Sequence, residues 1–145
     1  MKTIEDLMSE WSKDSVMDPT EPGNELLRIP QLHAKYLNFL VTNTAVSKNA
    51  SFDIAKRKKV LFDYFQGLME PDELEANGFS EPWRHLKNLK DNPHHDADDT
   101  LNNLMLKKAN ADAIIDYCDR VLKELNSRTF QLRSYIDWER YIGNK

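Results

Sequence analysis

Glycine, cysteine and long apolar runs are what this chain has least of. Four glycines in 145 residues leave no Gly-rich loop to cradle phosphates and argue against a turn-rich all-β chain. One cysteine, Cys118, permits no internal disulfide and fits a reducing compartment. No apolar run approaches the roughly 18–20 residues that span a bilayer. The start, Met1-Lys2-Thr3-Ile4-Glu5-Asp6, turns acidic at once and lacks the apolar segment of a signal peptide. A cytoplasmic protein with no membrane segment is therefore expected. What is present is 40% hydrophobic and 30% charged, globular rather than disordered. The mean hydropathy of -0.69 is polar for a monomer with a self-sufficient core. Length allows one domain, or a small domain plus an oligomerisation helix.

The net charge of -4 conceals a segregation of sign. Residues 1–30 hold 3 basic and 7 acidic side chains, residues 31–69 hold 6 and 2, residues 70–100 hold 3 and 9, and residues 101–145 hold 8 and 6. Nucleic-acid binding follows local patches rather than net charge. The basic peak is Lys56-Arg57-Lys58-Lys59, which runs straight into Val60-Leu61-Phe62-Asp63-Tyr64-Phe65-Gln66-Gly67.

The pattern is helical from end to end, which predicts an all-α or mostly α fold. Ile4, Leu7, Met8 and Trp11 at i, i+3, i+4 and i+7 make a short amphipathic helix. Asp18-Pro19-Thr20-Glu21-Pro22-Gly23 breaks it. Pro30 suits the first turn of a second helix that carries Leu32, Tyr36, Leu37, Phe39 and Leu40 and weakens at Thr42-Asn43-Thr44. A third helix is expected from about Asn49 or Ser51, ending near Gly67 or at Pro71. On a wheel of 100° per residue, Ile54, Leu61, Phe65 and Leu68 share its apolar face. Lys48, Lys56 and Lys59 fall opposite. Arg57 and Lys58 lie on the borders, where long stems snorkel. Phe62 and Phe65 read as core, and Tyr64 as the aromatic nearest the exposed side. Residues 70–100 form an acidic, proline-punctuated loop with a short helix at Pro82–Leu89.

From Thr100 to Ile142 one helical pattern persists, as a single helix or a hairpin folded near Asn126-Ser127. In a heptad register Leu101, Lys108, Ile115, Leu122, Thr129 and Ile136 take a, and Leu104, Ala111, Cys118, Leu125, Leu132 and Glu139 take d. Nine of these twelve are apolar. Ile114, Val121, Tyr135 and Ile142 at g widen the seam beyond a two-stranded zipper, so Leu101, Leu104, Ile115, Cys118, Leu122, Leu125, Leu132 and Ile136 are expected to drive self-association. This divides the chain into a DNA- or partner-binding region, 1–100, and an oligomerisation region, 101–145.

Catalytic chemistry has little to start from. His94-His95-Asp96 with Asp98-Asp99 is the best metal cluster, and a metal-dependent hydrolase could be built on His94, His95, Asp96 and Asp98. Adjacent histidines lack the i, i+4 face of zincin-type sites, however, and no CxxC pair completes a set. A solvated acidic loop is the expectation, with no metal and no cofactor. Cys118 sits on the seam, where a thiol is structural. No enzyme is expected. Single-strand binding, by contrast, needs cations along a backbone and aromatic faces for bases. Lys56 and Lys59 supply the first, aided by Arg57, Lys58, Lys48 and Lys35, and Tyr64 supplies the second. The same residues also suit a helical protein–protein adaptor with a solvated basic face.

Several segments resemble the UvsY-type recombination mediator proteins of T-even-like bacteriophages. Ile114-Ile115-Asp116-Tyr117-Cys118 is similar to that family's aliphatic-aliphatic-Asp-aromatic-Cys run, and Ser127-Arg128-Thr129-Phe130 follows at the matching distance. Leu32-His33-Ala34-Lys35-Tyr36-Leu37-Asn38 resembles its Leu-x-x-Lys-Trp-Leu-Asn. Lys59-Val60-Leu61-Phe62-Asp63-Tyr64-Phe65-Gln66-Gly67 resembles its Lys-Ala-Arg-Leu-Asp-Tyr-Tyr-Ser-Gly. Glu5-Asp6-Leu7 and Lys13-Asp14 also fit, and the likeness covers most of the chain outside 70–100. The resemblance implies a small helical protein that forms a homo-oligomeric ring, a hexamer or heptamer, in the cytoplasm of the infected host. It implies binding to single-stranded DNA and loading of a phage RecA-like recombinase onto DNA covered by the phage single-strand-binding protein. The family's DNA-contacting Lys-Ala-Arg-Leu segment puts Lys59 at its Lys position. Leu61 stands where the family has Arg, with Lys56, Arg57 and Lys58 just upstream.

Overall fold

The computed structural model describes residues 2–79 and 98–143, and among them all regular structure is helical. In chain order these residues form α1 (Ile4–Asp14), α2 (Pro22–Phe65), α3 (Pro71–Ala76) and α4 (Asp99–Gly143). None of these helices is long and apolar enough to cross a membrane. The expected helix at Pro82–Leu89 and the His94-His95-Asp96 cluster lie outside the described residues. The chain separates into two compact units, Met1–Val46 with Asn110–Lys145, and Ser47–Ala109.

The second and third helices expected from sequence are one helix, α2, which begins at Pro22 rather than Pro30. Pro22 occupies the first helical position, where a missing N–H is harmless, and Pro30 lies inside the helix. An internal proline forfeits one backbone bond and costs about 3 kcal/mol in an isolated helix. Packing on both sides of it offsets that cost. Ile29 and Leu32 join the core, and Arg28 ties the first turns down through Asp14 O (2.9 Å), Val16 O (3.1 Å) and Glu25 (3.2 Å). Nor do Thr42-Asn43-Thr44 weaken the helix. Asn43 donates to Phe39 O and Thr44 Oγ1 to Leu40 O, both at 2.8 Å. The polar side chains are satisfied by carbonyls one turn back instead of competing with the helix.

In the first unit, Leu7 of α1, Leu32 and Tyr36 of α2, and Ile114, Cys118, Val121 and Leu125 of α4 form the core. α1 starts on a capping box, with Thr3 and Asp6 exchanging side-chain-to-backbone bonds. Two arginines hold its other end. Besides the Arg28 bonds, Arg128 donates to Ser15 O at 2.7 Å and lies over the Trp11 ring, 5.2 Å from its centroid. Cations at a helix C-terminus satisfy orphan carbonyls and oppose the dipole. Asp14 adds a side-chain tie. It accepts from Lys35 Nζ (2.6 Å) and from the hydroxyl of fully buried Tyr36 (2.9 Å). The Tyr36 ring meets Trp11 and Phe39 edge-on at 5.3 and 5.8 Å.

α4 is a single helix, which resolves the helix-or-hairpin alternative. Its buried stripe runs Ala111, Ile114, Cys118, Val121, Leu125, Arg128, Leu132, a strict 4-3 alternation. This is the heptad seam, rotated from the expected a/d positions onto d/g. Within one chain the seam is filled by α1 and α2, so Ile115, Leu122 and Ile136 are left half-buried.

The second unit has its own small core of Leu61, Phe65 and Leu101, with Ile54, Tyr64 and Phe79 against it. α2 stops here in a Schellman arrangement. Gly67 takes φ 71°, its N–H reaches Tyr64 O, and Leu68 N–H reaches Asp63 O. α3 ends the same way, with Gly78 at φ 83° and Phe79 N–H on Leu74 O.

Candidate nucleic-acid interface

The basic run at the end of α2 divides when its side chains are placed. Lys56, Lys58 and Lys59 are exposed, as is Lys48 two turns earlier. Arg57 is taken up by the fold. Its Nε and Nη2 bind the two Asp98 carboxylate oxygens at 2.9 and 2.8 Å, and its Nη1 donates to Asn77 O at 3.2 Å. Its guanidinium also covers the Phe79 ring at 5.0 Å. Both charged side chains are only 13% and 12% exposed. Asp98 in turn accepts from Leu101 N–H at 2.9 Å and so caps the start of α4. Arg57 therefore clasps α2, the end of α3 and the beginning of α4 within the second unit. The hydrogen bonds to Asp98 raise its pKa further, and burial offsets only part of that rise.

Lys35 is likewise engaged. It pairs with Asp14 at 2.6 Å and with Glu10 at 3.5 Å, and the Asp14 bond raises its pKa. Burial works against the charged form of Asp14, but the bonds from Lys35 and Tyr36 and the charges of Lys35 and Arg28 hold its carboxyl below the ordinary value.

The aromatics exchange places relative to the wheel. Phe62, read as core, is 49% exposed, because the buried stripe of Leu61 and Phe65 leaves it on the outer side. Tyr64, read as the exposed one, is half-buried and stacks face to face on Phe79 at 3.9 Å. A further aromatic, Phe52, is 67% exposed. It sits four residues after Lys48 and four before Lys56, so Lys48, Phe52, Lys56 and Lys59 share one helix face. The i, i+4, i+8, i+11 spacing of Lys48, Phe52, Lys56 and Lys59 is the sequence signal for Phe52, which the reading of the lysines alone leaves out. Lys107 of α4 faces the same stretch across a groove of about 650 Å³ lined also by Asn49, Asp53 and Ala55.

On α4 the side chains expected to drive self-association fall into two groups. Leu101, Cys118, Leu125 and Leu132 are buried within the chain, while Leu104, Ile115, Leu122 and Ile136 are half-buried. Phe130, Tyr135, Trp138, Tyr141 and Ile142 are exposed in the last turns, with Trp138 stacked on Tyr141 at 5.7 Å. Burial pushes the Cys118 thiol up to about 11, so it is not an activated nucleophile. Among the described residues, no three His, Cys, Asp or Glu side chains are grouped to hold a metal ion.

A lysine face with exposed aromatics, carried on an all-α scaffold, fits the class of helical single-strand-binding proteins. The family comparison agrees. Residues 10–144 match the model described as "Recombination, repair and ssDNA binding protein UvsY", and the chain belongs to the UvsY family. No match emerges among curated proteins or among solved structures.

Proposed function

We propose that the protein is a non-enzymatic recombination mediator. It binds single-stranded DNA as a homo-oligomeric ring and helps load a RecA-like recombinase onto DNA covered by single-strand-binding protein in the infected host. The observation that carries this reading is the exposed Lys48, Lys56, Lys58 and Lys59 side chains of one helix in a chain of the UvsY family. The contacts go to phosphate, so binding is sequence-tolerant and falls steeply with salt. One protomer offers few free cations. Repetition around a ring multiplies them through effective concentration.

Self-association is placed on α4, through side chains outside the heptad seam that α1 and α2 fill within the chain. Leu101, Cys118, Leu125 and Leu132 shape the helix from inside. The half-buried Leu104, Ile115, Leu122 and Ile136, with the exposed aromatics near the C-terminus, offer the apolar surface to a second copy. The clasped Arg57 and the paired Lys35 hold the scaffold that presents the lysines. The test is recombinase filament formation on single-strand-binding-protein-coated DNA, with and without this protein. Faster nucleation is expected. An unchanged lag, with DNA binding intact, would discard the mediator role.

A further inference from the structure

We infer that the groove between Phe52, Lys56 and Lys107 is a base-stacking subsite, in which Phe52 receives an unpaired base while Lys56 and Lys107 hold the flanking phosphates. The inference rests on the single-strand-binding reading above and adds to it a contact that reads bases rather than backbone. A phenylalanine 67% exposed on a face with Lys48, Lys56 and Lys59 gains little from packing where it stands. Single exposed apolar side chains are ordinary, and what sets this one apart is its neighbours. Lys56 is one turn away on α2, and Lys107 of α4 and Asn49 line the same groove. Asp53 also lines the groove, so the lining holds two lysines and one aspartate and its formal charge is positive. Lys48 and Lys59 extend the cations along the same face.

Single-stranded nucleic acid is the occupant that this chemistry recognises. It combines a polyanionic backbone with detached aromatic faces, and aromatic side chains between cations are how sequence-tolerant single-strand sites are built. A duplex hides its base faces, so a stacking phenylalanine also supplies a preference for unpaired strands. An acidic peptide would satisfy the lysines but leave Phe52 without a partner ring.

The experiment measures fluorescence anisotropy of two labelled strands of equal length, oligothymidylate and an abasic sugar–phosphate strand, with intact protein and its variants. Phe52 is exposed and mid-helix, so Phe52→Ala keeps the fold. The native protein is expected to prefer oligothymidylate. Phe52→Ala is expected to weaken that strand by about tenfold per stacked base, leave the abasic strand unchanged and keep the salt slope. Lys107→Ala is expected to lower the slope and keep the base preference. Phe52→Trp should retain affinity and show indole quenching by oligothymidylate. Equal affinity of native protein and Phe52→Ala for both strands would overturn the subsite while leaving DNA binding intact, and so would an equal loss on both. Failure of the native protein to bind either strand at low salt would instead remove the reading on which the subsite rests. Binding of an acidic peptide that Phe52→Ala weakens as much as DNA would also overturn it.

Discussion

Replacing Arg57 separates a residue that holds the fold from the lysines beside it. Arg57→Ala removes two charge-assisted bonds to Asp98 at 2.9 and 2.8 Å, a third to Asn77 O at 3.2 Å, and a guanidinium over Phe79. Both partners are largely buried, at 13% and 12% exposure, and breaking such a pair costs more than breaking one in solvent. Asp98 keeps its bond from Leu101 N–H, so its carboxylate is not left wholly unpaired. The loss is therefore placed at about 2–3 kcal/mol, toward the low end for a broken buried pair. For a chain of this size that lowers Tm by about 5–10 °C. Thermal unfolding by circular dichroism reads it. A double-mutant cycle with Asp98→Asn should recover a coupling energy well above the ~0.5 kcal/mol expected of unrelated surface sites. Lys58→Ala, one position along, should change stability by no more than about 0.5 kcal/mol. The reasoning is refuted by Arg57→Ala with native Tm and a DNA salt slope reduced as a lysine substitution would reduce it. That result would make Arg57 a phosphate ligand and the clasp incidental.

Three further outcomes are expected. Asp14 has a depressed carboxyl, so its contribution to stability is fully present above its ordinary value of 3.8 and is lost as pH falls through its lower folded-state value. Asp14→Asn should accordingly flatten the acid limb of a Tm–pH profile and lower Tm at neutral pH. Cys118 is fully buried with a raised thiol pKa. Iodoacetamide should leave it unlabelled in the native protein and modify it once denaturant unfolds the first unit. Trp138→Ala with Tyr141→Ala removes the stacked exposed aromatics near the C-terminus, and native mass spectrometry should show smaller assemblies with little change in helicity; intact rings would move the interface elsewhere on α4.

Helical class and the stop at Gly67 were legible because each rests on local chemistry: period, and one residue able to take positive φ. The apolar faces were legible only in part: Leu7, Leu61 and Phe65 are buried, while Met8, Phe62 and Leu68 are exposed. Continuity of α2 was not legible. Pro30 and Thr42-Asn43-Thr44 signal breaks by local preference, and tertiary packing and back-bonded side chains overrule both. The heptads on α4 were seen, but periodicity alone does not say whether the seam faces another chain or the chain's own helices. From Ala111 onward the buried positions are d and g, including Arg128, whose charge disguised it as surface. The fate of Arg57 depended on Asp98, 41 residues away, which no wheel displays. Lys56 and Lys59 were placed outward by the wheel and are exposed, since a solvated helix face needs no distant partner.

The most direct test of single-strand binding through this face is a salt titration of affinity for labelled single-stranded DNA, comparing native protein with Lys56→Glu/Lys58→Glu/Lys59→Glu. All three lysines are exposed, so the variant should fold and assemble normally. Each phosphate contact on a single strand contributes about 0.7 to the slope of log K against log salt. The account predicts steep, sequence-tolerant binding by the native protein and a slope shallower by about 2 per engaged protomer in the variant. Native affinity and slope in a folded, assembled variant would contradict it, as would absence of binding by the native protein at low salt.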